Sequence, residues 1–299
     1  MSITPPYLKK GDRVAIVCPA KKLPKPMDDA VALLQSWGLE VVLGETVTAE
    51  YHQFAGDDEL RAADLQTQIN DQSIKAIFAA RGGYGTVRII DKVDFSPLVT
   101  HPKWIIGFSD ITVLHAHLYR NCQLSTIHGQ MPINVPDATA TSVETLRKAL
   151  FGEELAYHVP AHPLNRTGEG KGVLIGGNLA ILVSLSGSVS DYDYTGKILF
   201  IEDVGEYLYS IDRLMYTLKR AGKLKHLAGL IVGGFTELKD NEIPFGQTAQ
   251  EIIKAAVEAY DYPVCFDFPA GHVDDNWALV FGSRLRLQVH ADSVTGQYL

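Results

Sequence analysis

Between Arg13 and Arg120, short β-branched apolar runs alternate with longer helix-like stretches, and no other feature of the chain narrows its possible folds as far. Arg13 to Cys18 reads as a strand, Met27 to Trp37 as a helix, Glu40 to Leu43 as a strand, and Asp57 to Asn70 as a helix opened by acids. Ile74 to Ala80 is a third strand. It leads into Arg81-Gly82-Gly83-Tyr84-Gly85-Thr86, a helix through Ile90, a fourth strand from Lys103 to Phe108, and a helix-like pattern from Val113 to Arg120. Strands separated by helices imply a parallel sheet covered on both faces, and ligands of such sheets bind beyond the carboxyl ends of the strands. The glycine loop and Ser109 both fall at that end.

From Pro132 to Gly170 the texture changes. Pro132, Pro136, Pro160 and Pro163 punctuate it, and Asn165-Arg166-Thr167-Gly168 reads as a turn, so this is the best linker in the chain. Beyond it, Gly172 to Ile175, Lys197 to Ile201, Leu230 to Gly233, Val264 to Phe268 and Ala278 to Val289 read as strands. Asp212 to Ala221 and Thr248 to Tyr260 read as helices. A chain of 299 residues with 46% hydrophobic content can bury a large core, and two domains fit its length better than one.

Charge and cysteine content exclude several functional classes. A formal charge of −8 argues against a nucleic-acid or anionic-membrane surface, because both need clustered Lys and Arg. A small-molecule or peptide partner is the expectation. The opening Met1 to Asp12 has no apolar signal-peptide core and no membrane-length apolar run follows, so a cytoplasmic protein is expected. Cys18, Cys122 and Cys265 are odd in number and far apart, which indicates reduced packing residues rather than a disulfide framework or a zinc site.

Three constellations can carry chemistry. Ser109 closes the run Trp104-Ile105-Ile106-Gly107-Phe108 and precedes the helix-like Asp110-Ile111-Thr112. A hydroxyl on a sharp strand-to-helix turn is a nucleophile beside unpaired helix N–H groups, or simply a helix cap. On these residues alone the cap is the plainer reading. The Gly82 to Gly85 loop brings backbone N–H groups close to a ligand, either an oxyanion or a phosphate, or is a plain tight turn; it has neither the G-x-G-x-x-G spacing nor a P-loop lysine. The Gly172 to Asn178 stretch reads as packing. Ile201-Glu202-Asp203-Val204-Gly205-Glu206 ends a strand, where a carboxylate orients a histidine or merely forms a solvated acidic turn. Pro269-Ala270-Gly271-His272-Val273-Asp274-Asp275-Asn276 is a polar loop between apolar strands, and its histidine is a reasonable general base. His115 and His117, two apart on a helix, cannot share a metal, whereas His128 beside Gly129 is placed near the site. Serine, carboxylate and histidine follow one another as in α/β-hydrolases, yet Ile111 stands where the G-x-S-x-G elbow has its second glycine, which disfavours that fold.

Arg81-Gly82-Gly83-Tyr84-Gly85, Ile106 to Thr112, Ile201-Glu202-Asp203, Ile211-Asp212-Arg213 and Gly271-His272 resemble the signature segments of the LD-carboxypeptidase family of serine peptidases. The similarity runs nearly end to end, taking in Gly11-Asp12-Arg13-Val14-Ala15 and Phe54-Ala55-Gly56; a departure is Gln130, where the family often has proline after His128-Gly129. The resemblance implies an N-terminal doubly wound parallel α/β domain joined to a smaller β-rich C-terminal α/β domain. With the linker above, this puts residues 1–160 in the first, carrying the nucleophile, and 161–299 in the second, carrying the triad Glu and His. It implies Ser109 as nucleophile, His272 as general base and Glu202 as its carboxylate in preference to Glu206. Gly83 and Asp110 N–H groups form the oxyanion hole and no metal or cofactor takes part; a carboxypeptidase must also bind its substrate's terminal carboxylate, for which Arg81 is the nearest bidentate candidate, and Tyr84 is a further substrate contact. The implied reaction is hydrolysis of the amide before a C-terminal D-alanine of muropeptides in peptidoglycan recycling, by a homodimer. Alternatives are a microcin C-like peptide-nucleotide hydrolase, a non-catalytic two-lobed binding protein and a nucleotide-binding protein.

Overall fold

The structure, a computed structural model, describes residues 2–299. Its strands are β1 (Arg13–Val17), β2 (Glu40–Leu43), β3 (Ile74–Ala79), β4 (Trp104–Gly107), β5 (Thr126–His128), β6 (Ala156–Pro160), β7 (Gly168–Asn178), β8 (Lys197–Val204), β9 (Gly229–Thr236), β10 (Val264–Cys265), β11 (Leu279–Phe281), β12 (Arg284–Val289) and β13 (Ser293–Tyr298). One sheet runs β11-β5-β4-β3-β1-β2, with β1 to β5 parallel and β11 antiparallel at its edge. The other runs β10-β9-β8-β7-β12-β13-β6, four parallel strands continued by an antiparallel meander.

The strands are apolar on both sides because both sides are covered. In β1, Val14 and Ile16 face one core while Ala15 and Val17 face the other, and Trp104, Ile106 and Ile105 divide in the same way in β4. Both cores continue without a break into the second sheet, through Leu199, Ile201 and Val232 on one side and Ile198, Phe200 and Ile231 on the other. In the first sheet the chain moves from β1 outward to β2 and then back across to β3. This reversal opens a crevice at the carboxyl ends of β1 and β3, the place where doubly wound sheets bind ligands.

Two expectations need correcting. The stretch from Pro132 to Gly170, expected as a linker, is not an irregular one. It holds a 3-10 segment, Pro132–Asp137, a helix, Ala140–Phe151, capped by the Thr139 hydroxyl, and β6. Pro132 begins the 3-10 segment, where a first-turn proline lacks only an N–H that would be unpaired anyway, and Pro136 lies within it, while Pro160 closes β6 and Pro163 sits in the turn that follows. Ala278 to Val289 is not one strand: Gly282, at φ +86°, turns the chain, so that β11 joins the first sheet and β12 the second. A β carbon on Gly282 would lie 3.0 Å from the Cα of Ser125, in the segment leading into β5. The 3-10 segment, the strand β5, the helix Leu179–Ser184 and the closing strand β13 go unrecognised in the sequence reading. Cys18 and Cys265 are buried and Cys122 partly so, all as free thiols.

His115, on the helix Thr112–Cys122, is fully buried and ties this helix to two strands. The carbonyl of Gly107 must accept from Nε2, at 2.9 Å, which leaves Nδ1 to accept from the Thr126 hydroxyl at 2.8 Å. Burial lowers its pKa from the ordinary 6.5 to about 4. A base whose native pKa is depressed gives stability that is complete above its unfolded value and is lost as the pH falls toward the native one. Between pH 7 and 4.5 the His115→Gln variant should therefore lose about 2–3 kcal/mol less stability than the wild type. Urea unfolding at the two pH values measures the difference, and equal losses would show that His115 does not fold as the neutral ring.

Candidate active site

Local backbone chemistry prepares the turn at the end of β4. Gly107 has φ +157°, and a β carbon there would meet Ile111 Cγ1 at 2.9 Å. Ile111 is fully buried and fills the space that Gly107 leaves open, so the residue that seemed to crowd the turn is accommodated by the glycine four positions earlier. Ser109 follows at φ +63°, a left-handed conformation that is costly for a residue with a side chain. It opens a 3-10 turn, Ser109–Ile111, and caps nothing through its hydroxyl. Such strain is tolerated where the surroundings impose it, and it lifts the hydroxyl out of the sheet.

The glycine loop after β3 packs directly on this turn. A β carbon on Gly82 would sit 2.9 Å from Ser109 Cβ and 3.2 Å from its Oγ, so only glycine lets the two segments approach. Asp110 joins them, its carboxylate accepting the Thr86 N–H at 2.8 Å from the helix that the loop leads into. Burial raises the Asp110 pKa, and the Thr86 hydrogen bonds only partly oppose that.

The second sheet supplies the partners. Glu202, at the carboxyl end of β8, is 0% exposed, and its Oε2 accepts a 2.6 Å hydrogen bond from His272 Nδ1. That bond places the Nδ1 proton toward the carboxylate, which frees Nε2 to accept from Ser109 Oγ, 3.1 Å away. The loop carrying His272 is held on several sides. Gly271, at φ +110°, lies so close to Glu202 that a β carbon would be 2.7 Å from its Cβ, and its N–H donates to Asn276 Oδ1 at 2.8 Å. The Thr236 hydroxyl donates to the His272 carbonyl at 3.1 Å, and Phe108 packs edge-on against the imidazole. Gln130 donates to the Asp274 carbonyl at 2.8 Å, so the residue standing where the family often has proline braces this same loop.

The sequence-derived residues fall into two groups. Ser109, Glu202 and His272 meet, with Gly83 and Asp110 on the two segments beside the hydroxyl. Glu206 engages Lys239 through its backbone carbonyl. Tyr84 is exposed near Phe54, and Arg81 donates to the Lys22 carbonyl at 2.9 Å. His128 is fully buried among Phe108, Phe200 and Phe281. Asp275 accepts from Thr139. Among the described residues, no group of three or more His, Cys, Asp or Glu side chains is arranged to hold a metal ion.

Sequence reasoning missed the joint between the sheets. The Asn178 N–H donates to Thr112 Oγ1 at 3.0 Å, and a β carbon on Gly177 would strike that hydroxyl at 2.3 Å. Asp203, next to Glu202, accepts from Asn178 Nδ2 at 2.8 Å and from the Ala180 N–H at 2.9 Å. Burial, then the charge of Glu202, pushes its carboxyl up to about 6. A Gly-Gly-Asn followed at a distance by Glu-Asp was the available signal, but nothing local paired them.

A family model described as the LD-carboxypeptidase N-terminal domain matches residues 14–129, and one described as the LD-carboxypeptidase C-terminal domain matches residues 171–287. A probable murein peptide carboxypeptidase of Bacillus subtilis is 36% identical, over 95% of this chain and 91% of its own. The murein tetrapeptide carboxypeptidase of Pseudomonas aeruginosa is 30% identical, over 92% and 93% respectively. The crystal structure of a muramoyltetrapeptide carboxypeptidase from Oxalobacter formigenes matches with a TM-score of 0.87 at 27% identity, covering 96% of this chain and 98% of that one. The microcin C7 self-immunity protein MccF in complex with aspartyl sulfamoyl adenosine matches in fold, with a TM-score of 0.87 at 21% identity, covering 99% and 98%.

Opposing effects act on His272. Burial lowers its pKa, but the charge and hydrogen bond of Glu202, then the charges of Asp203 and Glu237, carry it above the ordinary value. Following the ring resonance by NMR should give a pKa above 6.5 in the wild type and below it in Glu202→Gln, where the neutral amide leaves burial less opposed. A variant value at or above that of the wild type would contradict this balance.

Proposed function

The chain belongs to the LD-carboxypeptidase family, and on that premise we propose that it is a serine carboxypeptidase that hydrolyses the amide before a C-terminal D-alanine of muropeptides in peptidoglycan recycling. The observation that carries the reading is the hydrogen-bonded series Glu202, His272, Ser109, at 2.6 and 3.1 Å, assembled from the two sheets.

His272 Nε2 takes the Oγ proton as Ser109 attacks the carbonyl carbon, and Glu202 stabilises the imidazolium that forms. The tetrahedral oxyanion lies between the N–H groups of Gly83 and Asp110. Collapse breaks the C–N bond, and the imidazolium gives its proton to the departing amine of the D-residue. Water, activated by the same ring, then frees the acyl group. Tyr84, beside the glycine pair, is the proposed substrate contact, whereas the Arg81 guanidinium is occupied by the Lys22 carbonyl.

The reading extends to a cytoplasmic homodimer with units 1–160 and 161–299, to be tested by fractionation, by light scattering of the purified protein, and by limited proteolysis. β6 and β11 cross between the sheets, so the two units should resist separation. The fold likeness to MccF keeps a second substrate class in view, a microcin-type peptide-nucleotide with an amide at the same carbon. A panel of muropeptides and peptide-nucleotides, with released amino acids followed by mass spectrometry, decides between them.

Ser109→Ala should lose at least about 1,000-fold in D-alanine release while its unfolding midpoint stays near wild type, since a partly buried hydroxyl is removed rather than core volume. Retained turnover would dismiss Ser109 as nucleophile, and turnover absent from both proteins, with ligand binding kept, would favour a binding protein. Glu202→Gln should be far more damaging than Glu206→Gln, and comparable losses would reopen the choice of carboxylate. The ring must be neutral to act as base, so kcat/KM should rise with pH through the His272 pKa and be indifferent to EDTA. Loss in EDTA restored by zinc would replace the serine mechanism with a metal one.

A further inference from the structure

A carboxypeptidase must recognise the free carboxylate of its substrate, and a positioned cation beside the reacting turn is the chemical means. Lys21 follows β1 and Gly83 follows β3, on the two sides of the crevice where the first sheet reverses direction. The lysine stem lies across the loop: a β carbon on Gly83 would sit 2.5 Å from its Cδ, 2.8 Å from Cγ and 3.1 Å from Cε. Its charge is felt by the Asp110 carboxyl, next in the chain to Ser109.

The neighbouring cations are already engaged. Arg61 donates to the Pro19 and Gly85 carbonyls at 2.5 and 3.0 Å and pairs with Asp58. Arg88 pairs with Asp58 at 2.7 Å and Lys22 with Glu50 at 2.6 Å. Arg81 holds the Lys22 carbonyl. Among the described residues, the Lys21 ammonium forms no hydrogen bond or ion pair with the protein, while its backbone is pinned from both sides: the Ala20 carbonyl accepts from Ala55 N–H at 3.1 Å and the Lys22 N–H donates to Gln53 at 3.1 Å. A half-buried lysine with a fixed backbone and an unpaired ammonium, its stem over the glycine loop that packs on the Ser109 turn, is a preorganised anion site.

We propose that Lys21 binds the substrate's C-terminal carboxylate, with Arg81 bracing the segment that carries it. This rests on the peptidase reading above and adds to it the residue that makes the enzyme a carboxypeptidase. The departing D-residue then lies across Gly83, its carboxylate on Lys21 and its scissile carbonyl at Ser109.

The test compares a tetrapeptide ending in D-alanine with the same peptide ending in D-alanine amide. The wild type should prefer the acid by about 10–100-fold in kcat/KM, mostly through KM. In Lys21→Met that preference should collapse toward one, through loss on the acid, and Lys21→Arg should restore part of it. A Lys21→Met enzyme that still prefers the acid, or that loses equally on both substrates, overturns the assignment. A folded wild type that cleaves neither peptide removes the peptidase reading itself, and the role of Lys21 with it.

Discussion

An imidazole held between a carboxylate on one sheet and a hydroxyl on another works only if the two sheets keep their places to a fraction of an ångström. His272 reaches Glu202 on one side and Ser109 on the other at 2.6 and 3.1 Å, so the whole architecture answers to that requirement. The means are visible throughout. β6 and β11 exchange between the sheets, and both hydrophobic cores run across the boundary without a gap. Thr112, just past the Ser109 turn, accepts from Asn178, and Asn178 is held by Asp203, next to Glu202. A slip between the sheets would break buried polar contacts, and an unpaired buried group costs about 1–3 kcal/mol each.

Glycines and strain follow from the same demand for close approach. Gly82, Gly107 and Gly271 each stand where a β carbon would strike the serine turn or its partners at under 3 Å, so the site is assembled by omitting side chains as much as by placing them. Ser109 bears the conformational cost of its left-handed backbone, typically about 1–3 kcal/mol, because β4, Gly107 and the buried Ile111 leave it no alternative. Buried polar groups near the site are spent on this precision: Asp110 fastens the glycine loop, Gln130 and Asn276 fasten the histidine loop, and Asp203 fastens the joint.

Much of the first sheet was legible in the chain, with β2 read to the residue and β1, β3 and β4 within a residue or two at each end. Each is a short buried run bounded by loops and helices, so local periodicity and local conformation agree. The second half was harder for a physical reason. Residues 132–170 looked like a linker because prolines punctuate both of their ends, although the Thr139 cap and the apolar spacing of Leu146, Ala149 and Leu150 were there to be read. Ala278 to Val289 looked continuous because a turn at a single glycine leaves no mark on hydrophobic pattern, and two sheets compete for its halves.

By itself, then, the sequence determined the parallel α/β character, the loops at the carboxyl ends of the strands and the residue types able to do acyl chemistry, since these depend on neighbours within a few positions. Local residues alone read Ser109 more plainly as a cap and Glu202 as a solvated acid, and only the family resemblance drew both toward His272. Only the tertiary structure brings the three side chains together, through contacts that join residues 163 and 70 positions apart. The same holds for Lys21, an unremarkable lysine in the chain that becomes an unpaired charge over Gly83 only once β1 and β3 lie side by side. Local physics chooses the elements; which groups face one another across a crevice is set by how those elements pack.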